Sequence, residues 1–218
     1  MQHMGLENKN KIILHLCASH IGSDTKPYRD AGYMVIPVVK DMGVENYGVG
    51  RVFELPNQVY GIIANPVCTE FSTARSSGKA RNPQKGMELV RECQRIISEC
   101  SPKFWVIENP ATGRLKDFLG EPTMTYEPWH YGSPWTKKTA LWGDFNIPPK
   151  IYDKWEDVEK IPELYIRPGR KKPSLAFMHM SARKFISEFH YLAFPESDME
   201  FRSLCSQKFA KAFFEANQ

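Results

Sequence analysis

The chain lacks any run of about 18 apolar residues, so no membrane-spanning helix is expected. Its first ten residues, Met1 to Asn10, are polar and carry no apolar stretch of the signal-peptide kind. Cysteine is scarce and unpaired in pattern. Cys17, Cys68, Cys93, Cys100 and Cys205 are odd in number and never spaced as CxxC. That argues against a disulfide framework or a structural zinc site, and reduced thiols in a cytoplasmic setting are expected. No internal repeat is present. Neither sign of charge dominates: a net +4 over 218 residues permits a polyanionic partner without demanding one. His15 and His20 have no second cluster of ligand-type residues beside them, so no metal is expected.

What is there alternates. Lys11–Cys17, Tyr33–Val39, Val59–Ala64 and Phe104–Ile107 are short apolar runs that read as buried strands, with Pro37 placing the second at an edge or a strand end. Lys26–Ala31 is helix-compatible and Gly32 stops it. Asn82-Pro83 is a helix start, and Met87, Leu89, Val90, Cys93, Ile96, Ile97 and Cys100 recur on one broad face until Ser101-Pro102. Thr139–Trp142 is a later strand. Ser206–Ala216 is an amphipathic helix carrying Phe209, Ala212 and Phe213 on one side. Strands alternating with helices predict an α/β protein with a mostly parallel, doubly wound sheet. Asp144–Pro173, rich in proline and charge with little periodicity, reads as a linker or an irregular lobe, and a small irregular lobe is expected over 147–200.

In such sheets ligands bind beyond the carboxyl ends of the strands. The polar segments Ser19–Asp24, Asn65–Ser72 and Glu108–Pro110 fall there. Cys68 alone would be read as a small buried residue, the usual fate of a free thiol. Glu108 changes that reading, because a carboxylate straight after FWVI is hard to account for as core. A thiolate beside a carboxylic acid suits attack on an electron-poor ring such as cytosine: sulfur adds at C6, and the acid hydrogen-bonds N3. The acid needs a raised pKa, and the thiolate needs a nearby cation, for which Arg75 and Lys138 are candidates.

Pro66-Val67-Cys68-Thr69-Glu70-Phe71-Ser72 resembles the proline-proline-cysteine loop of DNA cytosine-C5 methyltransferases. Glu108-Asn109-Pro110 resembles that family's glutamate-asparagine-valine signature, and Pro134–Gly143 its paired-arginine segment. The likeness is greatest to compact phage and prophage methylases and runs from about Lys11 to Gln218. It implies a Rossmann-like fold, with a flexible stretch at 1–10, a catalytic domain over 11–146, a possible reduced target-recognition lobe at 147–200 and a C-terminal helix, 201–218, packed back on the domain. It implies S-adenosylmethionine as cofactor and DNA as partner, either a single strand or a duplex whose cytosine is flipped out. Cys68, Glu108 and Lys138 are then the catalytic set. Cys17, Ala18, Ser19, Gly22, Asp24, Asp41, Asn65 and Pro66 would lie around the cofactor, with Glu45 an alternative to Asp41 at the ribose. Ser72, Arg75 and Asn109 would serve the base, and Arg167, Arg170 and Lys171 the phosphates. Trp129, Tyr131 or Trp135 could fill the gap left by a flipped base, although packing is the commoner fate of such residues. Protection of phage DNA from restriction is implied by resemblance only.

The chain departs from the family pattern in four places. Of the cofactor-loop glycines only Gly22 remains, the second loop proline is Val67, the paired arginines are Thr136 and Lys138, and little chain is left for target recognition. Two other functions therefore stand beside the first. One is methylation of a free pyrimidine nucleotide, and the other is a non-catalytic derivative that binds DNA or protein.

Overall fold

The computed structural model describes residues 8–39, 56, 58–71 and 81–218. In chain order the regular elements are β1 (Ile12–Ala18), α1 (Lys26–Asp30), β2 (Met34–Val39), β3 (Val59–Ala64), α2 (Pro83–Cys100) and β4 (Phe104–Pro110). They continue with α3 (Lys116–Leu119), β5 (Met124–Tyr126), β6 (Thr139–Asp144), α4 (Asp198–Ser203) and α5 (Gln207–Ala216). The six strands form one sheet in the order β2-β1-β3-β4-β6-β5. β2, β1, β3 and β4 are parallel to one another, and β6 runs antiparallel to both β4 and β5. The expected α/β, mostly parallel, doubly wound sheet is thus observed. β1 and β3 are almost continuously buried, as strands covered on both faces must be. Pro37 sits on β2, an edge among the described strands, where its missing N–H is tolerated.

Each face of the sheet has its own helix cover. On one face α2 lays Met87, Val90, Cys93 and Ile96 over Leu14, Leu16, Ile62 and Ile107. Asn82 caps this helix by accepting from the Lys85 N–H at 3.1 Å, and Pro83 follows at the first turn. On the other face α5 packs Phe209 and Phe213 against Ile63, Phe104, Val106 and Leu141. Ser206 caps α5 through the Phe209 N–H at 3.1 Å, and the Phe209 ring stacks on Tyr126. Burial of each such large side chain contributes about 1.5–3 kcal/mol, so α5 is fixed by packing more than by its ten-residue length.

The segment between β6 and α4 has only short 3₁₀ turns, yet it is packed. Trp135, Leu175, Met178, Ile186, Phe189, Phe201 and Leu204 make a third core, joined by Ile21 from the loop after β1. Thr136 ties it to the sheet: its N–H donates to Pro173 O (2.9 Å) and its O accepts from Leu175 N–H (3.1 Å). Trp135 is fully buried and Tyr131 is 1% exposed. Both belong to cores, so neither is free to fill a gap in DNA; only Trp129 remains partly exposed.

Candidate active site

β1 has β2 on one side and β3 on the other, and this reversal of strand order opens a crevice at the strands' carboxyl ends. Three loops meet there. The loop after β1 brings Asp24, the loop after β3 brings Asn65 and Cys68, and β4 ends in Glu108 and Asn109. The Asn65 amide Nδ2 lies 3.2 Å from Glu108 Oε2 and 3.4 Å from Asp24 Oδ1. Asn109 donates Nδ2–H to Pro66 O at 2.9 Å, bracing one motif against the other inside the protein. Arg114 N–H adds a second brace to Phe71 O at 2.9 Å. Cys68 opens a single 3₁₀ turn, Cys68–Glu70, and is half-buried. The next residue, Phe71, is fully buried against α2, where a Cβ on Gly86 would come within 2.8 Å of its ring. The turn that presents the thiol is therefore fixed at both ends.

Burial pushes the Glu108 carboxyl up from its ordinary range; Lys137 opposes this, Asp24 adds to it, and the Asn65 hydrogen bond opposes it. Burial also raises the Cys68 thiol, Glu108 raises it further, and Lys137 pulls it down. Lys137 is thus the cation common to both groups. Leu141 pairs with Glu108 across β4–β6, Thr139 shares its face, and Lys137 stands two residues before that strand begins. The Lys137 ammonium also donates to Ser203 O (2.7 Å) and Leu204 O (3.0 Å). Lys138, the cation expected from the motif, alternates to the other face. It is exposed, and its charge acts on Glu127 instead.

The expected cofactor loop is mixed. Cys17 holds a φ of +56° at an irregularity in the β1 ladder, with its Sγ 3.8 Å from that of Cys93. Ala18 and Pro66 are buried, and Ser19 Oγ accepts from Gly22 N–H at 3.4 Å. Gly22 has a φ of +57° and the Arg29 guanidinium lies over it, so that a Cβ would fall 2.9 Å from the nearest nitrogen. Arg29 donates to Ile21 O and Gly22 O at 3.0 and 2.9 Å. The donor set fits an amino-acid group: Asp24 offers a carboxylate at the crevice, and Ser19 a hydroxyl. Arg167, Arg170 and Lys171 lie exposed on the packed lobe, away from the three loops in sequence and joined to β6 through Thr136. Asp41, Glu45, Ser72 and Arg75 lie outside the described residues. Among the described residues no group of three or more His, Cys, Asp or Glu could hold a metal, and no helix is long and apolar enough to cross a membrane.

No family model matches the chain. In sequence it is 31% identical over 106 residues to the "Probable DNA (cytosine-5)-methyltransferase" of Frog virus 3 (isolate Goorha), a match covering 41% of this chain and 48% of the viral protein. The chain spans about half the length of the curated relative it matches. Among solved structures, an E. coli protein described as a "putative DNA modification methyltransferase encoded within prophage" is 15% identical, with a TM-score of 0.41 over 78% of this chain and 55% of that one.

Some residues that shape the crevice gave little sign in the sequence. His15 reads as a histidine inside a strand, yet its Nε2 lies 2.8 Å from Asn65 Oδ1. Lys137 was recoverable only from the pairing of β6 with β4. Tyr126 and Cys205 close the apolar side of a small cavity of about 20 Å³ whose polar wall is Asp24 and Glu108.

Proposed function

We propose that this chain is a DNA cytosine-C5 methyltransferase that uses S-adenosylmethionine, with Cys68 as nucleophile, Glu108 as acid and Lys137 as their shared counter-charge. The observation that carries the reading is the meeting of Cys68 and Glu108 at the carboxyl ends of adjacent parallel strands, braced by the Asn109–Pro66 hydrogen bond. The viral relative's name and the two motifs support it.

The residues divide the work by their environments. Glu108, its proton affinity raised by burial, donates a hydrogen bond to N3 of the cytosine. Cys68 gives up its thiol proton to solvent as the substrate enters, with Lys137 favouring the thiolate, and sulfur forms a bond to C6. Electron density then moves to C5 while N3 takes the proton of Glu108; once C5 carries the methyl group, loss of the C5 proton to solvent restores the C5–C6 double bond, expels the Cys68 thiolate, and lets N3 return its proton to Glu108. Asp24, Ser19, Asn65 and the backbone at Gly22 would hold S-adenosylmethionine, which supplies an electrophilic methyl group. Asn109 keeps the Cys68 loop at its distance from β4. In a duplex the cytosine must leave the stack before C6 can meet the thiol.

The lobe supports DNA as the partner. Residues 164–187 contain Arg167, Arg170, Lys171, Lys172, Arg183 and Lys184 and no carboxylate side chain. Such segregation of charge suits a phosphate backbone. One observation favours the non-catalytic derivative instead, namely the Arg29 guanidinium over Gly22 in the cofactor loop. Titration with S-adenosylhomocysteine followed by trapping on 5-fluorocytosine DNA separates the two. Micromolar binding and a covalent adduct at Cys68 are expected; binding of DNA with neither would establish the derivative.

A further inference from the structure

A chain of hydrogen bonds runs from the inside of β1 to the candidate acid. Carboxylate oxygens only accept, so the Asn65 NH₂ must face Glu108 and Asp24, 3.2 and 3.4 Å away. Asn65 Oδ1 then faces His15 Nε2 at 2.8 Å and needs a donor there. The ring must carry its proton on Nε2, which leaves Nδ1 bare to accept the Thr25 hydroxyl at 3.2 Å. Gly22 O, the other acceptor within reach of that hydroxyl, is already served by Arg29 and by the Thr25 N–H. His15 is 1% exposed and Thr25 fully buried, so water cannot substitute for the bond between them.

We infer that His15 is a positioning residue: its Nε2–H holds the Asn65 amide with both N–H bonds toward Glu108 and Asp24, and so sets how readily Glu108 holds its proton. The alternative amide orientation would present Oδ1 to the carboxylates and would favour a protonated Glu108, because only a protonated acid can donate to it. A fixed imidazole N–H at 2.8 Å works against that flip. Asn65 occupies the residue just before the Pro66-Val67-Cys68 loop, so the device sits where the thiol and the acid meet. Glu108 is also faced by Asp24 from the loop after β1, Lys137 from the approach to β6, Cys68 from the turn after β3, Tyr126 from β5 and Cys205 from the α4–α5 connection. His15 itself faces Asp24 and Arg29, and burial keeps it neutral. Of these other groups only Asp24 touches the amide, accepting weakly at 3.4 Å on its nitrogen side, whereas His15 holds the oxygen side at 2.8 Å.

The catalytic meaning of this device rests on the reading of Glu108 as the ring acid, but its test needs neither cofactor nor DNA. In the full chain labelled with ¹⁵N-histidine, His15 should appear as the neutral Nε2–H tautomer at pH 7, assigned by its loss in His15→Gln. An Nδ1–H tautomer would overturn the inference on the unaltered protein, even if variants fold poorly. With glutamate labelled at the carboxyl carbon, the Glu108 resonance is identified by its loss in Glu108→Gln. Its midpoint should rise by about one pH unit in Asn65→Ala and in His15→Phe, since a hydrogen bond to a charged group is being lost. His15→Gln, which restores an N–H donor, should bring the midpoint back. A midpoint that stays put in Asn65→Ala, or that rises equally in His15→Gln and His15→Phe, refutes positioning. If the protein also methylates DNA, the alkaline limb of the rate profile moves up with the midpoint in His15→Phe, and the KM for DNA does not change. Absence of methyl transfer together with a shifted midpoint would sink the proposed activity and leave the positioning intact.

Discussion

Two half-buried glutamates, one in the sheet and one in the lobe, are treated in opposite ways. Glu188, in the 3₁₀ turn Ser187–Phe189, has both oxygens engaged: it accepts the Ser133 hydroxyl at 2.8 Å and the Gln207 and Lys208 N–H groups of α5 at 2.7 and 3.3 Å. It therefore caps a helix and locks the lobe to the second face of the sheet. Glu108 accepts, among the described residues, only from Asn65 at 3.2 Å. Burial is the largest influence on both carboxyls and raises both. The difference lies in spare capacity. A carboxyl with both oxygens engaged by several donors is a structural part, whereas one left short of donors in a crevice can still serve a substrate.

The largest effect that bears on this contrast is expected at the thiol beside Glu108. Cys68→Ser should lower methyl transfer to DNA by about a thousandfold or more, measured with labelled S-adenosylmethionine, because a serine hydroxyl is a far weaker nucleophile at this pH. Its melting temperature should stay close to that of the parent, since the turn is held by Phe71 and Asn109. A fully active Cys68→Ser protein would remove the proposed mechanism. Next in size is the lobe's counterpart. Glu188→Ala removes the acceptor of three donors at once, and urea denaturation should show a loss of about 2–4 kcal/mol. Equal losses of stability in Glu188→Ala and Glu108→Ala would erase the distinction between them.

The parts that were legible in the sequence are those where period and burial agree. β1, β3 and β4 show as apolar runs because a strand covered on both faces has no polar side, and α2 shows because Asn82-Pro83 announces it and its apolar residues recur at helical spacing. β5 is three residues long, too short for any period, and exists by pairing with β6. The lobe's core was not legible, since Trp135, Leu175, Ile186 and Phe189 converge from 3₁₀ turns and loops that repeat at neither 2 nor 3.6. At the site, Cys68 and Glu108 stood out as chemistry out of place. The motif position points to Lys138, while the charge that acts on Glu108 is that of Lys137, brought there by the approach to an antiparallel partner that only the fold reveals. His15 could not be told from a packed histidine until the residue beside it was known.

The lobe's surface gives a third, smaller comparison with the site. Arg167→Ala, Arg170→Ala and Lys171→Ala combined should weaken DNA binding about 10- to 100-fold at low salt and reduce the slope of log affinity against log salt by up to about 3. Methyl transfer at saturating DNA should hardly change, because none of the three reaches the crevice loops by any hydrogen bond among the described residues. An unchanged salt slope would move the DNA contact elsewhere on the chain.

The smallest effect is the dependence of stability on pH. The folded Glu108 binds its proton more tightly than the unfolded chain does, because burial disfavours the charged form. Below the unfolded glutamate pKa of about 4.3 the residue is neutral in both states and contributes no penalty. As pH rises from there through the raised folded value, the unfolded state releases its proton first and the native state loses stability. Glu108→Gln cannot titrate, so its melting temperature should match the parent's near pH 4 and exceed it increasingly toward neutrality. Glu188 has a raised carboxyl too, but it is common to both proteins and cancels in the difference. Glu188→Gln should show the same rise relative to the parent toward neutrality, because that carboxyl is raised too, but from a lower start near pH 4, where an acceptor of three donors has become a single carbonyl oxygen. A Glu188→Gln protein as stable as the parent near pH 4 would mean that the lobe's glutamate is as underused as the site's. Spare hydrogen-bonding capacity would then no longer mark Glu108 as the carboxyl set aside for substrate.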